Sequence, residues 1–197
     1  MIQAGGQSSR MGTTKGLLQF SGEPLIQRVI SRVIGVSTDI WVVTPSPEEY
    51  PFLKVKFTQD AMPFGGPLVG LQTGLEAAEG NLVAMVACDM PFVDAALLDA
   101  MFVRAESGDW DVVIPVADGR MEPLCAVYRK ETCLAAARQA LANGERRVIS
   151  ILPGLNAYSV EHAELAQFGN PQIMLMNVNT PDEFARAEQL DRAMNAG

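Results

Sequence analysis

Short apolar runs rich in valine and isoleucine alternate along the chain with longer stretches whose apolar positions recur at helical spacing. Met1 to Ala4 reads as the end of a strand running into a glycine- and serine-rich loop, and Pro24 to Ile34 as a helix whose Leu25, Val29 and Val33 share one face. Asp39 to Thr44 and Val55 to Thr58 predict two strands, Leu68 to Ala78 a helix, and Asn81 to Ala87 a strand apolar at nearly every position. A strand with no polar alternation is buried on both faces, which predicts a parallel sheet covered by helices on each side.

The rhythm continues with a helix over Leu97 to Glu106 and a strand over Val112 to Val116. Asp118-Gly119 is a turn signal before Cys125 to Tyr128, so a hairpin or an antiparallel excursion is expected there. Lys130 to Ala142 is an alanine-rich helix stopped by Asn143-Gly144, and a last helix opens at Thr180-Pro181, with threonine to cap it and proline in its first turn. With no internal repeat, low-complexity tract or linker, the expectation is a single doubly wound α/β domain over residues 1–197. Ligands in such sheets bind beyond the carboxyl ends of the strands. That rule singles out Gly5 to Lys15, Thr44, Asp60 and Asp89.

Composition removes several classes. At 48% hydrophobic and 19% charged residues the chain has the material for a core and is not disordered. A formal net charge of −8 argues against a sequence-independent grip on nucleic acid, which depends on neutralising phosphates. A phosphate-bearing small molecule needs only a local cationic pocket. Three cysteines and one histidine, His162, without zinc spacing, predict buried thiols in a reducing cytoplasm and no zinc centre. No apolar run approaches the roughly 18 residues of a membrane span, and glycines arrive too early for a signal peptide, so no membrane association is expected.

The chemistry concentrates in Ala4-Gly5-Gly6-Gln7-Ser8-Ser9-Arg10-Met11-Gly12-Thr13-Thr14-Lys15. Its glycines let backbone N–H groups approach an anion, Arg10 can chelate two phosphate oxygens, and Lys15 adds a point charge. The alternative is an ordinary strand-to-helix turn with solvated basic residues. The stretch is neither G-x-G-x-x-G, nor a P-loop (Gly16 follows Lys15), nor a nucleophile elbow, since Arg10 stands where the second glycine belongs. Asp89, in Cys88-Asp89-Met90-Pro91, is placed at a strand end to hold Mg²⁺, which prefers oxygen ligands and bridges phosphates; a helix cap or simple strand stop is the alternative. Phe64-Gly65-Gly66-Pro67-Leu68-Val69-Gly70 opens a helix with an anion-competent N-terminus.

G-G-x-x-x-R-M-G followed by lysine resembles the signature loop of nucleotidyltransferases that act on sugar phosphates and molybdopterin. With G-P-L-x-G at Gly66 to Gly70, G-E-R-R at Gly144 to Arg147 and N-x-N-T-P at Asn177 to Pro181, the chain resembles the molybdenum cofactor guanylyltransferases from residue 3 to about 184. The resemblance implies a Rossmann-like nucleotidyltransferase fold and transfer of GMP from Mg-GTP to molybdopterin, with Mg²⁺ as cofactor. By position, Gln3, Ala4, Gly5, Gly6, Arg10 and Lys15 would take the nucleotide, with Arg10, Lys15 and Asp89 as the catalytic set. Asp89 would hold the metal, Thr44 and Asp60 would lie by guanine and ribose, and Gly66 would line the site. Arg146 or Arg147, with Asn177 and Asn179, would face the pterin. The two asparagines are two apart in an extended segment, so they are expected on one face. Implied protein partners are other cofactor-biosynthesis proteins and recipient molybdoenzymes. The chain departs from the family pattern at Gln3 (usually leucine), Thr14 (often aspartate) and Thr44 (asparagine expected), the last of which loosens guanine selection. Sibling chemistries are cytidylyl transfer and sugar 1-phosphate nucleotidylyl transfer; a non-catalytic nucleotide-binding module is the reading from another class.

Overall fold

Strand β1 (Ile2–Gln3) is short, yet it lies inside the main sheet with a parallel neighbour on each side. A computed structural model of the protein describes residues 1–5, 14–37, 39–59 and 65–195. After β1 come a hairpin of β2 (Gln19–Phe20) and β3 (Glu23–Pro24), helix α1 (Leu25–Val33), β4 (Trp41–Val43), β5 (Lys56–Thr58), α2 (Pro67–Ala77), β6 (Leu82–Ala87) and α3 (Ala95–Ser107). The chain continues through β7 (Val112–Ala117), β8 (Arg120–Met121), β9 (Cys125–Arg129), α4 (Lys130–Ala142), β10 (Ala157–Val160), two short helices α5 (His162–Leu165) and α6 (Pro171–Met174), and α7 (Pro181–Asn195).

The main sheet runs β10-β7-β9-β6-β1-β4-β5, with β8 paired to β7. Pairings β1–β4, β1–β6, β4–β5 and β7–β10 are parallel, whereas β9 lies antiparallel between β6 and β7. The turn at Asp118-Gly119 joins β7 to β8 as an antiparallel hairpin, and β9 then returns through the sheet; both halves of the expected excursion are present. Because β9 reverses, its first residue Cys125 pairs with Val86, near the carboxyl end of β6. The start of β9 and the ends of β1, β4, β6 and β7 therefore share one edge of the sheet.

Helices cover both faces. Gln3 and Val43 turn toward α2, where a methyl group added at Gly70 or Gly74 would meet them. Ile2 lies on the other face beside Val33 of α1 and Leu98 and Phe102 of α3. In β6, Val83, Met85, Val86 and Ala87 are buried, as expected for a strand packed on both sides. A second cluster joins distant parts of the chain: Phe20, Leu25, Phe92, Val178 and Ala187 pack together, with Phe20 edge-on to Phe92 and Phe184 at 6.0 and 5.6 Å. The last helix opens with a reciprocal cap, in which Glu183 N–H donates to Thr180 Oγ1 and Glu183 Oε2 accepts from Thr180 N–H.

Candidate active site

Asp89 follows β6, where the apolar run ends and the chain turns. Asp94 caps α3 by accepting from Leu97 N–H at 2.9 Å, so Asp89 is not that helix's cap. Its backbone carbonyl accepts from Val178 N–H at 3.0 Å, tying the C-terminal segment to the end of β6. Asp89 Oδ2 accepts from Lys15 Nζ at 2.8 Å, and Lys15 Nζ also donates to Asn179 Oδ1 at 2.6 Å. Three motifs far apart in the chain therefore meet at one ammonium group.

The other carboxylate oxygen, Asp89 Oδ1, is buried and has no hydrogen-bond partner among the described residues. An unpaired buried carboxylate oxygen is costly unless a cation or donor satisfies it. Mg²⁺ bound by a protein typically takes one or two carboxylates and completes its shell with water and substrate phosphates. Among the described residues no three metal-binding side chains converge, so one carboxylate beside a phosphate site is the arrangement available. Asp89 fits that role, with Oδ1 unengaged.

Lys15 opens a 3₁₀ turn, Lys15–Leu17, and Thr14 steadies the entry by donating to Glu49 Oε2 at 2.9 Å. Gly5 is at the edge of the site, while Gly6, Arg10 and Asp60 lie outside the described residues. Ala4 N–H donates to Val43 O and Gln3 O accepts from Cys88 N–H, so the residues before the loop are held by both neighbouring strands. The Gln3 side chain is buried over the bare Cα of Gly70, and its Oε1 has no partner among the described residues. Thr44 is 1% exposed and its hydroxyl accepts from Ser46 N–H at 3.3 Å, so its side chain is turned inward.

Gly66 caps α2 with φ +84° and ψ 174°, a conformation essentially confined to glycine. A Cβ there would stand 3.0 Å from Arg146 O, which accepts from Leu68 N–H. Arg146 therefore meets the start of α2 through its backbone, while its guanidinium donates to Leu141 O, in the last turn of α4, and to Glu145 O. Arg147 is exposed and precedes the 3₁₀ helix Val148–Gly154. Asn177 and Asn179 serve different partners: Asn179 meets Lys15, whereas Asn177 Nδ2 donates to Glu122 Oε2 at 3.1 Å.

Glu122 was not legible as a site residue in the sequence. Its only local signal is a Glu-Pro pair before a strand. Its carboxylate also accepts from Leu124 N–H at 3.2 Å; burial, with a smaller push from Asp89, holds its pKa above the ordinary carboxylate value. Two arginines on α1 brace the turn after Asp89: Arg28 donates to Pro91 O at 3.5 Å and Arg32 to Val93 O at 2.6 Å. Arg28 is in turn paired with buried Asp191 of α7 at 2.5 Å. Cys88, beside Asp89, is a free buried thiol pushed up to about 12, first by burial and then by Asp89, so it is no nucleophile.

Residues 1–162 match the MobA-like NTP transferase domain. The chain is 34% identical over 196 residues to a probable molybdenum cofactor guanylyltransferase of Natronomonas pharaonis, covering 96% of each. It is 32% identical to one of Peptoclostridium acidaminophilum over 96% of this chain and 88% of that protein. The solved molybdopterin-guanine dinucleotide biosynthesis protein A of Archaeoglobus fulgidus superposes with a TM-score of 0.85 at 25% identity, covering 98% of both chains. A cytidylyltransferase acting on 2-C-methyl-D-erythritol 4-phosphate, from Thermus thermophilus, shares the fold with a TM-score of 0.73 at 18% identity over 97% of each. The match over residues 1–162, the relatives aligned over nearly the whole chain and the shared fold agree: the chain is an enzyme, a nucleotidyltransferase, and belongs to the family of MobA-like molybdenum cofactor guanylyltransferases.

Proposed function

We propose that the enzyme transfers GMP from GTP to molybdopterin, forming the guanine dinucleotide cofactor and pyrophosphate. The observation that carries this reading is the meeting of Lys15, Asp89 and Asn179 at a single point on the carboxyl edge. A terminal phosphate oxygen of the acceptor attacks the α-phosphorus of GTP, and the α–β bridging bond breaks as pyrophosphate leaves with the electron pair. A phosphate monoester is already anionic at neutral pH, so no general base is required. The protein's task is positioning and charge neutralisation.

Lys15 has three N–H donors, and Asp89 and Asn179 take one each, leaving one for a phosphate oxygen. Gly5, Gly6 and Arg10 would cradle the triphosphate with it, and Gln3, Ala4, Thr44, Asp60 and Gly66 would surround the nucleoside. Asp89 would hold Mg²⁺, which when bound supplies positive charge to phosphate oxygens. Asn177, Asn179 and one of Arg146 and Arg147 would face the acceptor. Arg147 is the better candidate, because the Arg146 guanidinium is folded back through Nη1 onto Leu141 O and Glu145 O.

One observation favours a second reading, cytidylyl transfer. Thr44 stands where the family pattern has asparagine and its side chain is turned away from the surface, so no amide at that position selects guanine. Incubation with each nucleoside triphosphate, Mg²⁺ and molybdopterin, followed by identification of the dinucleotide, tests both. A guanine product supports the proposal, a cytosine product replaces it with the second reading, and nucleotide binding without pyrophosphate release rejects transfer to molybdopterin.

A further inference from the structure

The sheet order places β6, which ends in Asp89, between two groups of loops. On one side are the ends of β1 and β4, carrying Gly5 and Thr44; on the other are β9 and β7. A cavity of about 370 Å³ opens on this second side, bounded by the β7–β8 hairpin, Glu122 and the segment around α6. Its volume is within the range of small-molecule sites, roughly 300–1,000 Å³. A smaller cavity, about 90 Å³, lies at the amino-terminal ends of the strands, beside Met1 and Trp41.

Two features make the larger cavity more than a surface dip. Arg120 and Arg186 line it together with Asp118, whose carboxylate accepts from Gln172 Nε2 at 3.3 Å, and among the described residues neither arginine has a carboxylate partner. Glu122 also lines it, two hydrogen-bonded steps from the reaction centre: its carboxylate meets Asn177, and the next residue, Val178, donates to Asp89 O. Met121, Leu175 and Met176 supply apolar walls, two of them flexible thioethers suited to the face of a flat ring.

Resting on the reading of molybdopterin as acceptor, we propose that this cavity seats the acceptor's pterin ring, that Glu122 reads the ring's 2-amino and N3–H edge, and that Arg120 and Arg186 take its anionic substituents. The ring edge presents two parallel donors, which match the two oxygens of a carboxylate. Each Glu122 oxygen accepts one protein N–H and keeps a second lone-pair site. The acceptor would then reach the α-phosphorus from the β9 side of Asp89, and in-line displacement has the pyrophosphate leave on the side opposite the attacking oxygen. The carboxylate specifies the ring and the arginines favour a charged ligand over a neutral one.

The test compares binding of pterin with lumazine, which carries a carbonyl in place of the 2-amino group, to wild type, Glu122→Gln and Arg186→Glu, with GTP affinity measured on the same proteins. Wild type is expected to prefer pterin, and Glu122→Gln to lose about 10- to 100-fold in pterin affinity, and with it the preference, while GTP binding stays within about twofold. Arg186 is exposed on α7, so Arg186→Glu is expected to fold normally and to raise the KM for molybdopterin without raising that for GTP. Equal affinity of wild type for the two rings, unchanged pterin binding by Glu122→Gln, or parallel weakening of GTP would overturn the assignment. If wild type forms the dinucleotide while both variants retain its KM for molybdopterin, the cavity is wrong and the transfer reaction stands. If wild type transfers nothing to molybdopterin, both fall.

Discussion

Lys15 and Asp89 neutralise each other across 74 positions of sequence, and each is also placed to meet a substrate charge. Asp89→Asn keeps the shape and removes the charge that a Mg²⁺ ligand needs; turnover should fall by about two to three orders of magnitude with the melting temperature nearly unchanged. Retained activity with Mg²⁺ would reject the metal role. Lys15→Ala should weaken GTP and GDP by about tenfold or more while sparing guanosine, read by calorimetry across the series. An equal loss for all ligands would mean the lysine only supports the fold. Glu122 gives a prediction in pH. Its folded carboxyl binds its proton more tightly than the unfolded one, so the native state is favoured at low pH and loses stability as pH rises from about 4.5 through the raised value. Thermal melts of wild type and Glu122→Gln should therefore diverge across that window, with wild type losing ground as pH increases. Parallel curves would contradict it. Asp89 and Lys15 were legible in the sequence because strand ends and glycine loops are local signals. Glu122 was not, because its partner Asn177 lies 55 residues away. Extended geometry predicts only that Asn177 and Asn179 share one face; their remote partners, Glu122 and Lys15, give them separate contacts.

Among the elements, the long periodic ones were read nearly to the residue: α4 spans Lys130–Ala142 as expected, and the apolar run became β6. Of the short elements, β1, β4 and β5 were read from their apolar runs, whereas others were not. The hairpin of β2 and β3 and the edge strand β10 carry too little pattern to register, and β10 forms because β7 offers it a parallel edge over four paired residues. Tertiary pairing decides such segments. Helix α2 shows how the residue that caps an element can serve two neighbours. Gly66 allows both the φ of +84° and the approach of Arg146 O, so Gly66→Ala should cost about 1–3 kcal/mol and displace the loop carrying Arg147. The measurement is a melt together with GTP affinity; a variant as stable as wild type would show that this turn relaxes freely.

At the scale of the whole molecule, three ties connect the two ends of the chain: Lys15 to Asn179, Ser21 to Glu188 and Arg28 to Asp191, separated by 164, 167 and 163 positions. The last also governs the turn after Asp89, since Arg28 reaches Pro91 O as well. Arg28→Ala should leave Asp191 buried and unpaired, costing about 3 kcal/mol, and should slow turnover more than it weakens GTP binding. The double variant Arg28→Met with Asp191→Leu should regain stability without regaining rate, and recovery of both would show that the pair has no part in placing Asp89. These ties have a consequence for the order in which the protein comes into being. Synthesis delivers the glycine-rich loop first and the asparagine that meets its lysine more than 160 residues later, about ten seconds or more at ordinary elongation speeds. The sheet can pair strand by strand as it emerges, whereas the bond from Lys15 to Asn179 and the cluster around Phe20 must wait for the last helix. A ribosome-bound chain stopped before Pro181 should thus show protected sheet amides and little affinity for GTP, with the grip on the nucleotide appearing only in the released full-length chain.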